Sequence, residues 1–341
     1  MTRRTVAFLL CCVICQPCRA QAIVVGPAQV NMDLRTEELQ NLRFGMFICW
    51  SYSTFSGTEW TRDVKSVDFF NPTGCDTDQW CRTAKQAAMG YILFLTKHHD
   101  GFCLWDTKTT DWKVTNSPLG IDVLAKLRRS CDQHGLKLAL YFSEGDWTWP
   151  GKQGTRSGPN PEMKKAQLTE LLTQYGPIEY LWLDHAAGDG GLSHAETAQW
   201  VKQLQPGCFV GFNSGEQTGA DIRLGEWGSP GSLTDVSTAG VGAKYAQQGK
   251  PAHRLAEFTY PIFPRNDAGA RWFYTKPQWD DRCLSAEHIY QDYLGAKKYG
   301  NIFSLDVGPM RNGKLRPIDV KTLQEVGRYI RGELTSPSQS R

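Results

Sequence analysis

Past Ala22 the chain has no apolar run long enough to cross a membrane, no C-x-x-C pair and no glycine-rich phosphate loop. Each absence closes a class. A span needs about 20 predominantly apolar residues, so none is expected in the mature chain. Without C-x-x-C, neither a zinc ribbon nor a thioredoxin-like site is indicated. An excess of one charge is missing too. The 38 Lys and Arg nearly balance the 35 Asp and Glu, leaving +3, and the basic residues form no stripe. Nucleic acid is therefore not an expected partner. No internal repeat or low-complexity linker divides the 341 residues, a length that suits one large α/β barrel or two ordinary domains.

What is present is aromatic and turn-rich: 12 Trp and 33 Gly. Tryptophans near polar strand ends suit a ligand with flat apolar faces and hydroxyl edges, although most single Trp are core. Arg3 and Arg4 precede the apolar run Val6 to Cys15, and Ala20-Gln21-Ala22 fits a small-residue cleavage site. Residues 1–22 therefore read as a secretory signal, and the chain as secreted or periplasmic, with a retained anchor as the alternative. Seven cysteines follow: Cys49, Cys75, Cys81, Cys103, Cys131, Cys208 and Cys283. The odd number leaves at least one unpaired. Cys75 and Cys81 are close enough in sequence for a local disulfide, and Cys103 and Cys131 fit as small buried hydrophobes.

A helix–Gly–strand rhythm runs along the chain. Helical spacing marks Thr77 to Ala88, Asp122 to His134, Met163 to Tyr175, the capping box Ser193-x-x-Glu196 leading to Leu204, Leu284 to Tyr299, and a closing helix through Val320 and Ile330. Strands are expected at Phe44 to Trp50, Tyr91 to Leu95, Leu136 to Phe142, Tyr180 to Asp184, Cys208 to Asn213, Ile222 to Trp227, Leu255 to Tyr260 and Asn301 to Val307. Eight strands, mostly separated by helices, fit a (β/α)8 TIM-type barrel over residues 23–334. Residues 226–254 are Gly- and Ser-rich and read as a long loop; residues 335–341 read as a disordered tail.

In such a barrel the strand C-termini converge on one face. They would bring together Cys49 and Trp50, His98, His99 and Asp100, Ser143 and Glu144, Asp184, Asn213, Glu226 and Trp227, Glu257 and Asp306. This carboxylate-rich ring, with two imidazoles, has the minimal machinery of glycoside hydrolysis: one carboxylate attacks or activates water and the other protonates the leaving oxygen. Successive strand residues point to opposite faces, so His98 and His99 can share a pocket only if the strand breaks at His98. Glu226 stands beside Trp227, which could desolvate it and raise its pKa; Glu257 is its rival as acid/base.

Several segments resemble the retaining α-L-fucosidases of glycoside hydrolase family 29. They are Arg43-Phe-Gly-Met-Phe-Ile-Cys-Trp50, Glu59-Trp60, Thr96-Lys-His-His-Asp-Gly-Phe102, Leu104-Trp-Asp106, Thr110-Asp-Trp112, Leu181-Trp-Leu-Asp184 and Tyr299 to Pro309. The resemblance implies exo-hydrolysis of terminal α-L-fucose from a glycan or glycoconjugate, through a covalent intermediate and without metal or cofactor. It makes Asp184 the nucleophile and Glu226, 42 residues on, the acid/base. It places His98, His99, Glu59, Trp60 and Trp182 in the sugar pocket, with Arg223 available to orient a carboxylate.

Three departures from that family's pattern stand out. Cys49 occupies a position where the family usually has His, and a thiol makes a weaker hydrogen bond. His185 follows Asp184 in place of a common Gly. The C-terminal β-sandwich usual in the family is not expected here. Two other classes remain open: a sugar-binding relative, non-catalytic or acting on another L-sugar, and a metal-dependent hydrolase using His98, His99, Asp100, Asp184 and His185.

Overall fold

The apolar runs become eight parallel strands closed into one barrel in chain order. They are β1 Phe44–Ile48, β2 Tyr91–Lys97, β3 Lys137–Ser143, β4 Tyr180–Asp184, β5 Phe209–Phe212, β6 Ile222–Arg223, β7 Leu255–Pro261 and β8 Ile302–Asp306. β1 pairs with both β2 and β8, which closes the ring. The computed structural model describes residues 30–149, 159–184, 190–213, 215, 217–242, 253–264, 271–274 and 276–335. The expected leader (1–22), His185 and residues 336–341 lie outside these.

Helices cover the outside: α1 Met32–Leu42, α2 Tyr52–Ser56, α3 Thr77–Gln86, α4 Val123–His134, α5 Pro161–Gln174, α6 His194–Leu204, α7 Ala286–Tyr299 and α8 Pro317–Ile330. The capping box at α6 forms as the sequence implies, with Ser193 and Glu196 bonding reciprocally. Gly135 closes α4 in the left-handed conformation, φ 60°. α1 has no counterpart in the sequence reading because only Leu39 of its eleven residues is buried, so it carries no apolar stripe.

β1 stops at Ile48, two residues short of expectation, β5 and β8 each lose one residue at either end, and two further differences bear on the site. β6 pairs over only two residues where six were expected, although a single bridge, Glu226 to Thr259, continues the parallel ladder. The chain turns where Gly225 presses on β7; a Cβ there would lie 2.7 Å from the Glu257 carbonyl oxygen. β2 runs two residues further than expected and carries a register shift between Leu95 and Lys97.

Among the described residues no helix is long and apolar enough to cross a membrane. All seven cysteines past the leader are free thiols. Cys81 does not pair with Cys75; it meets Cys131 across the α3–α4 contact, sulfur to sulfur 3.8 Å.

Candidate active site

The C-terminal ends of the strands surround a cavity of about 620 Å³. Strand alternation decides which side chains reach it. Phe47 on β1 and Cys49 just beyond its end face inward, and on β4 Trp182 and Asp184 do. Trp50 points the other way. It is fully buried, its indole N–H donates to the Met310 carbonyl (3.1 Å), and its ring packs edge-on against Phe70 and Trp80. Trp50 is therefore core rather than a pocket residue.

The break after Lys97 brings both imidazoles to the cavity. His98 and His99 stack at 4.1 Å and both line the wall. Lys97 leaves the pocket to pair with Asp146, Nζ to Oδ2 3.1 Å, both side chains buried. Gly101 completes this turn at φ 78°, and a Cβ there would come within 2.4 Å of Asp146 Oδ1. Gly101→Ala therefore strains the backbone and pushes on a buried ion pair at once. The expected loss is about 2–3 kcal/mol of stability, measured by denaturant unfolding.

His99 has a defined tautomer. The Ser143 hydroxyl donates to the Gly145 carbonyl (2.5 Å), so it can only accept from His99 Nδ1 (2.7 Å). Nδ1 carries the proton and Nε2 offers a lone pair. Burial, followed by the Lys97 and Arg62 charges, lowers the His99 pKa to about 3; burial and His99 push His98 well down. Both rings are neutral near pH 7.

Asp184 ends β4, with its carbonyl accepting from the Glu144 N–H (2.7 Å). Its Oδ2 accepts from the Tyr141 hydroxyl (2.5 Å) and lies 3.5 Å from His99 Nε2. Its Oδ1 accepts from Asn213 Nδ2 (3.1 Å). The same nitrogen donates to Glu226 Oε2 (2.9 Å). One amide thus bridges two carboxyls from β4 and the β6 exit, and limits those oxygens to about 6 Å apart. Burial raises the Glu226 pKa to about 7, helped by the Asp184 charge and opposed by the Asn213 bond and the Arg271 charge.

Glu59 and Trp60 also line the cavity, Trp60 with an exposed ring. Burial lifts Glu59 to about 7 against backbone N–H donors at Arg271 and Trp272. Among the described residues, Glu59 Oε2, His98 Nδ1, Trp147 Nε1 and Asn213 Oδ1 are buried without a hydrogen-bond partner. A wall with that surplus bonding capacity, set among Phe47, Trp182, Trp272 and Phe273, suits a compact ligand with hydroxyls on one side and an apolar face on the other. Cys49 contributes little polarity to it, a thiol being a weak donor; burial and then the Asp306 charge push its pKa well up.

Besides Trp50, three expected residues take other places. Arg223 is buried outside the cavity, donating to the Leu233 (2.7 Å) and Asp235 (2.8 Å) carbonyls and to Thr238 (3.2 Å), so it pins the following loop. Glu257 lies beneath the floor, 1% exposed, and is absent from the wall. Asp100 turns back to accept from the Phe102 N–H (2.9 Å). Trp227 lines the rim in a left-handed conformation, φ 55°, edge-on to Trp272. Among the described residues no three His, Cys, Asp or Glu side chains converge as a metal-binding group.

The alpha-L-fucosidase family model matches residues 26–333. The chain belongs to the alpha-L-fucosidase family. Alpha-L-fucosidase 1 of Arabidopsis thaliana is 30% identical over 299 residues, covering 82% of this chain and 56% of that protein. The chain spans about half the length of the curated fucosidases it matches. Among solved structures, alpha-L-fucosidase isoenzyme 1 from Paenibacillus thiaminolyticus is 26% identical with a TM-score of 0.71, covering 88% of this chain and 76% of that one. A glycoside hydrolase 29 family member from an unknown rumen bacterium is 26% identical, TM-score 0.69, covering 89% and 57%.

The structure also brings to the cavity wall residues that have no counterpart among the sequence candidates: Tyr141, Arg62, Trp147, Arg271, Trp272 and Phe273, with Asn213 expected only as a strand end. Tyr141 had a signal, since it lies two residues before Ser143 on the inward face of β3. The others come from loops, which carry no periodicity to read.

Proposed function

We propose that the protein is an exo-acting, retaining α-L-fucosidase that releases terminal α-L-fucose from glycans or glycoconjugates. The Asn213-bridged pair of Asp184 and Glu226 carries this reading. A retaining pair stands about 5–5.5 Å apart and an inverting pair about 6.5–9.5 Å, and a single amide spanning both carboxyls fits the shorter gap.

In this mechanism Asp184 attacks the anomeric carbon and forms a glycosyl ester with inversion. Glu226, protonated, gives its proton to the leaving oxygen. The leaving alcohol departs, and Glu226, now a carboxylate, takes a proton from water as that water attacks the anomeric carbon, breaking its bond to the Asp184 oxygen with a second inversion. Asp184 is released as a carboxylate and Glu226 is again protonated. The Tyr141 hydroxyl and the Asn213 amide hold the Asp184 oxygens in place, and the neutral His98 and His99 meet sugar hydroxyls without competing for the proton.

The acid must be protonated to act, so kcat/KM is expected to fall as pH rises through about 7, the value to which burial lifts Glu226. The charged and titratable groups around it are Asp184, Arg271, Glu59 and Glu257. A pH profile on an aryl fucoside checks this; a limb lying below about pH 5 would assign the proton elsewhere.

The deciding test is a screen of aryl α-L-fucoside, α-L-galactoside and β-D-galactoside, with the first-formed sugar anomer followed by proton NMR. Release of α-L-fucose supports the reading, first-formed β-L-fucose refutes retention, and no turnover of any glycoside refutes hydrolysis. Cys49 in the cavity wall favours a second reading within the same chemistry, a preference for another L-sugar of similar shape. A galactoside that outperforms the fucoside would select it.

A further inference from the structure

We infer that Glu257 is a positioning residue that holds both halves of the reacting carboxylate pair from beneath the pocket. The inference rests on the proposed roles of Asp184 and Glu226. Glu257 lies in the barrel interior on β7, and one of its oxygens does two jobs. Oε2 accepts from the Trp182 indole N–H (3.4 Å) and from the Gly225 backbone N–H (3.4 Å). Trp182 is the floor of the Asp184 half: its ring stacks on Tyr141 at 5.3 Å, and the Tyr141 hydroxyl donates to Asp184 Oδ2. Gly225 immediately precedes Glu226, and its carbonyl accepts from the Thr259 N–H (2.9 Å), so the peptide is gripped by β7 from both ends.

Below the carboxyl the Ser304 hydroxyl meets the hydroxyls of Tyr91 (2.8 Å) and Tyr180 (3.0 Å), which joins β2, β4 and β8 in one buried hydroxyl cluster. The other Glu257 oxygen, Oε1, is buried without a hydrogen-bond partner among the described residues. Nothing in the cluster reaches the cavity except through Trp182 and Glu226, so Glu257 acts on the reaction only through them. The titratable groups facing Glu257 are Glu226, Tyr91 and Tyr180. A buried acid so placed is costly to the fold unless it is bonded, and here it supplies the acceptor that two N–H groups would otherwise lack.

Three single variants and one double test this: Glu257→Leu, which removes the acceptor, Glu257→Gln, which keeps an amide oxygen for both N–H groups, Trp182→Phe, which removes one donor and keeps a ring, and the combination of the last two. Displacement of about 1 Å at reacting groups costs on the order of 100-fold, so Glu257→Leu is expected to lose about that much kcat with KM within about threefold. Glu257→Gln is expected to recover kcat to within about tenfold of wild type. Should the Leu variant not fold, the Gln and Phe variants still decide: their combined loss is expected to fall short of the sum of the two.

A Gln variant as impaired as Leu would overturn the tether, as would a Leu variant with wild-type kcat and pH profile, or simple additivity in the double variant. Restoration of the Leu variant by azide would overturn it differently, making Glu257 the acid/base itself. If the wild type turns over no fucoside, the proposed function fails separately. The tether is then judged from crystal structures alone, where a shifted Trp182 ring and Gly225 peptide in Glu257→Leu support it and unmoved ones overturn it.

Discussion

Asp184→Ala is expected to reduce turnover of an aryl α-L-fucoside by about 10⁴-fold or more, since the covalent route has no other nucleophile. Sodium azide should restore part of the rate by entering the space left by the carboxylate and attacking the anomeric carbon directly. The product would be β-L-fucosyl azide, inverted relative to the substrate. Unfolding is not expected to account for the loss. Asp184 sits partly exposed at a strand end, and the strand keeps the Glu144-to-Asp184 and Asn213-to-Leu183 backbone bonds. Stationary kinetics with product NMR, alongside thermal melting, measure both quantities. Near-normal turnover would remove Asp184 from the reaction, and a melting point lowered by more than about 10 °C would make the loss structural.

Glu226→Ala should behave in the opposite stereochemical sense. Loss of a general acid/base costs about 10²–10⁴-fold, most with substrates whose leaving group needs a proton. An activated aryl fucoside needs little help to depart, so the ester on Asp184 still forms and then waits for a nucleophile. Azide requires no deprotonation and attacks that ester, giving α-L-fucosyl azide, the anomer of the substrate. The two rescues therefore yield opposite anomers from one additive, and the pair of products assigns both residues. The alkaline limb near pH 7 should also disappear from the Glu226→Ala profile. An α-azide from a Glu257 variant, with none from Glu226→Ala, would reverse the assignment.

The strands and their ends were legible because a barrel is written in short apolar runs with a fixed punctuation. Asp184 is the first polar residue after Tyr180-Leu-Trp-Leu, and β4 ends on it. The histidine pair carried its own test: both rings face the cavity because β2 breaks after Lys97, as the alternation rule required. The same rule applied to Cys49 and Trp50 separates them, one inward and one into the helical layer. Arg223 differs for another reason, since a guanidinium beside a candidate acid looks electrostatic, whereas three loop acceptors hold its terminal nitrogens outside the wall. Arg62, Trp147 and the segment from Arg271 to Phe273 come from loops, where neighbours in space are set by closure of the barrel and not by spacing in sequence. β6 was overestimated because six strand-forming residues do not reveal that Gly225 must turn against β7.

The shared amide of Asn213 has a consequence for how charge moves through the proposed cycle. Before attack the dyad carries one negative charge, on Asp184. Once the ester forms and the acid has given up its proton, the dyad again carries one, now on Glu226. Asn213 Nδ2 has two hydrogens and one carboxyl oxygen in front of each. The charge is handed across a stationary dipole, and the half-reactions exchange which of its two bonds is charge-assisted. Neither carboxyl has to exchange its amide partner between them, so once the leaving alcohol has given way to water the site is already set for the returning half-reaction.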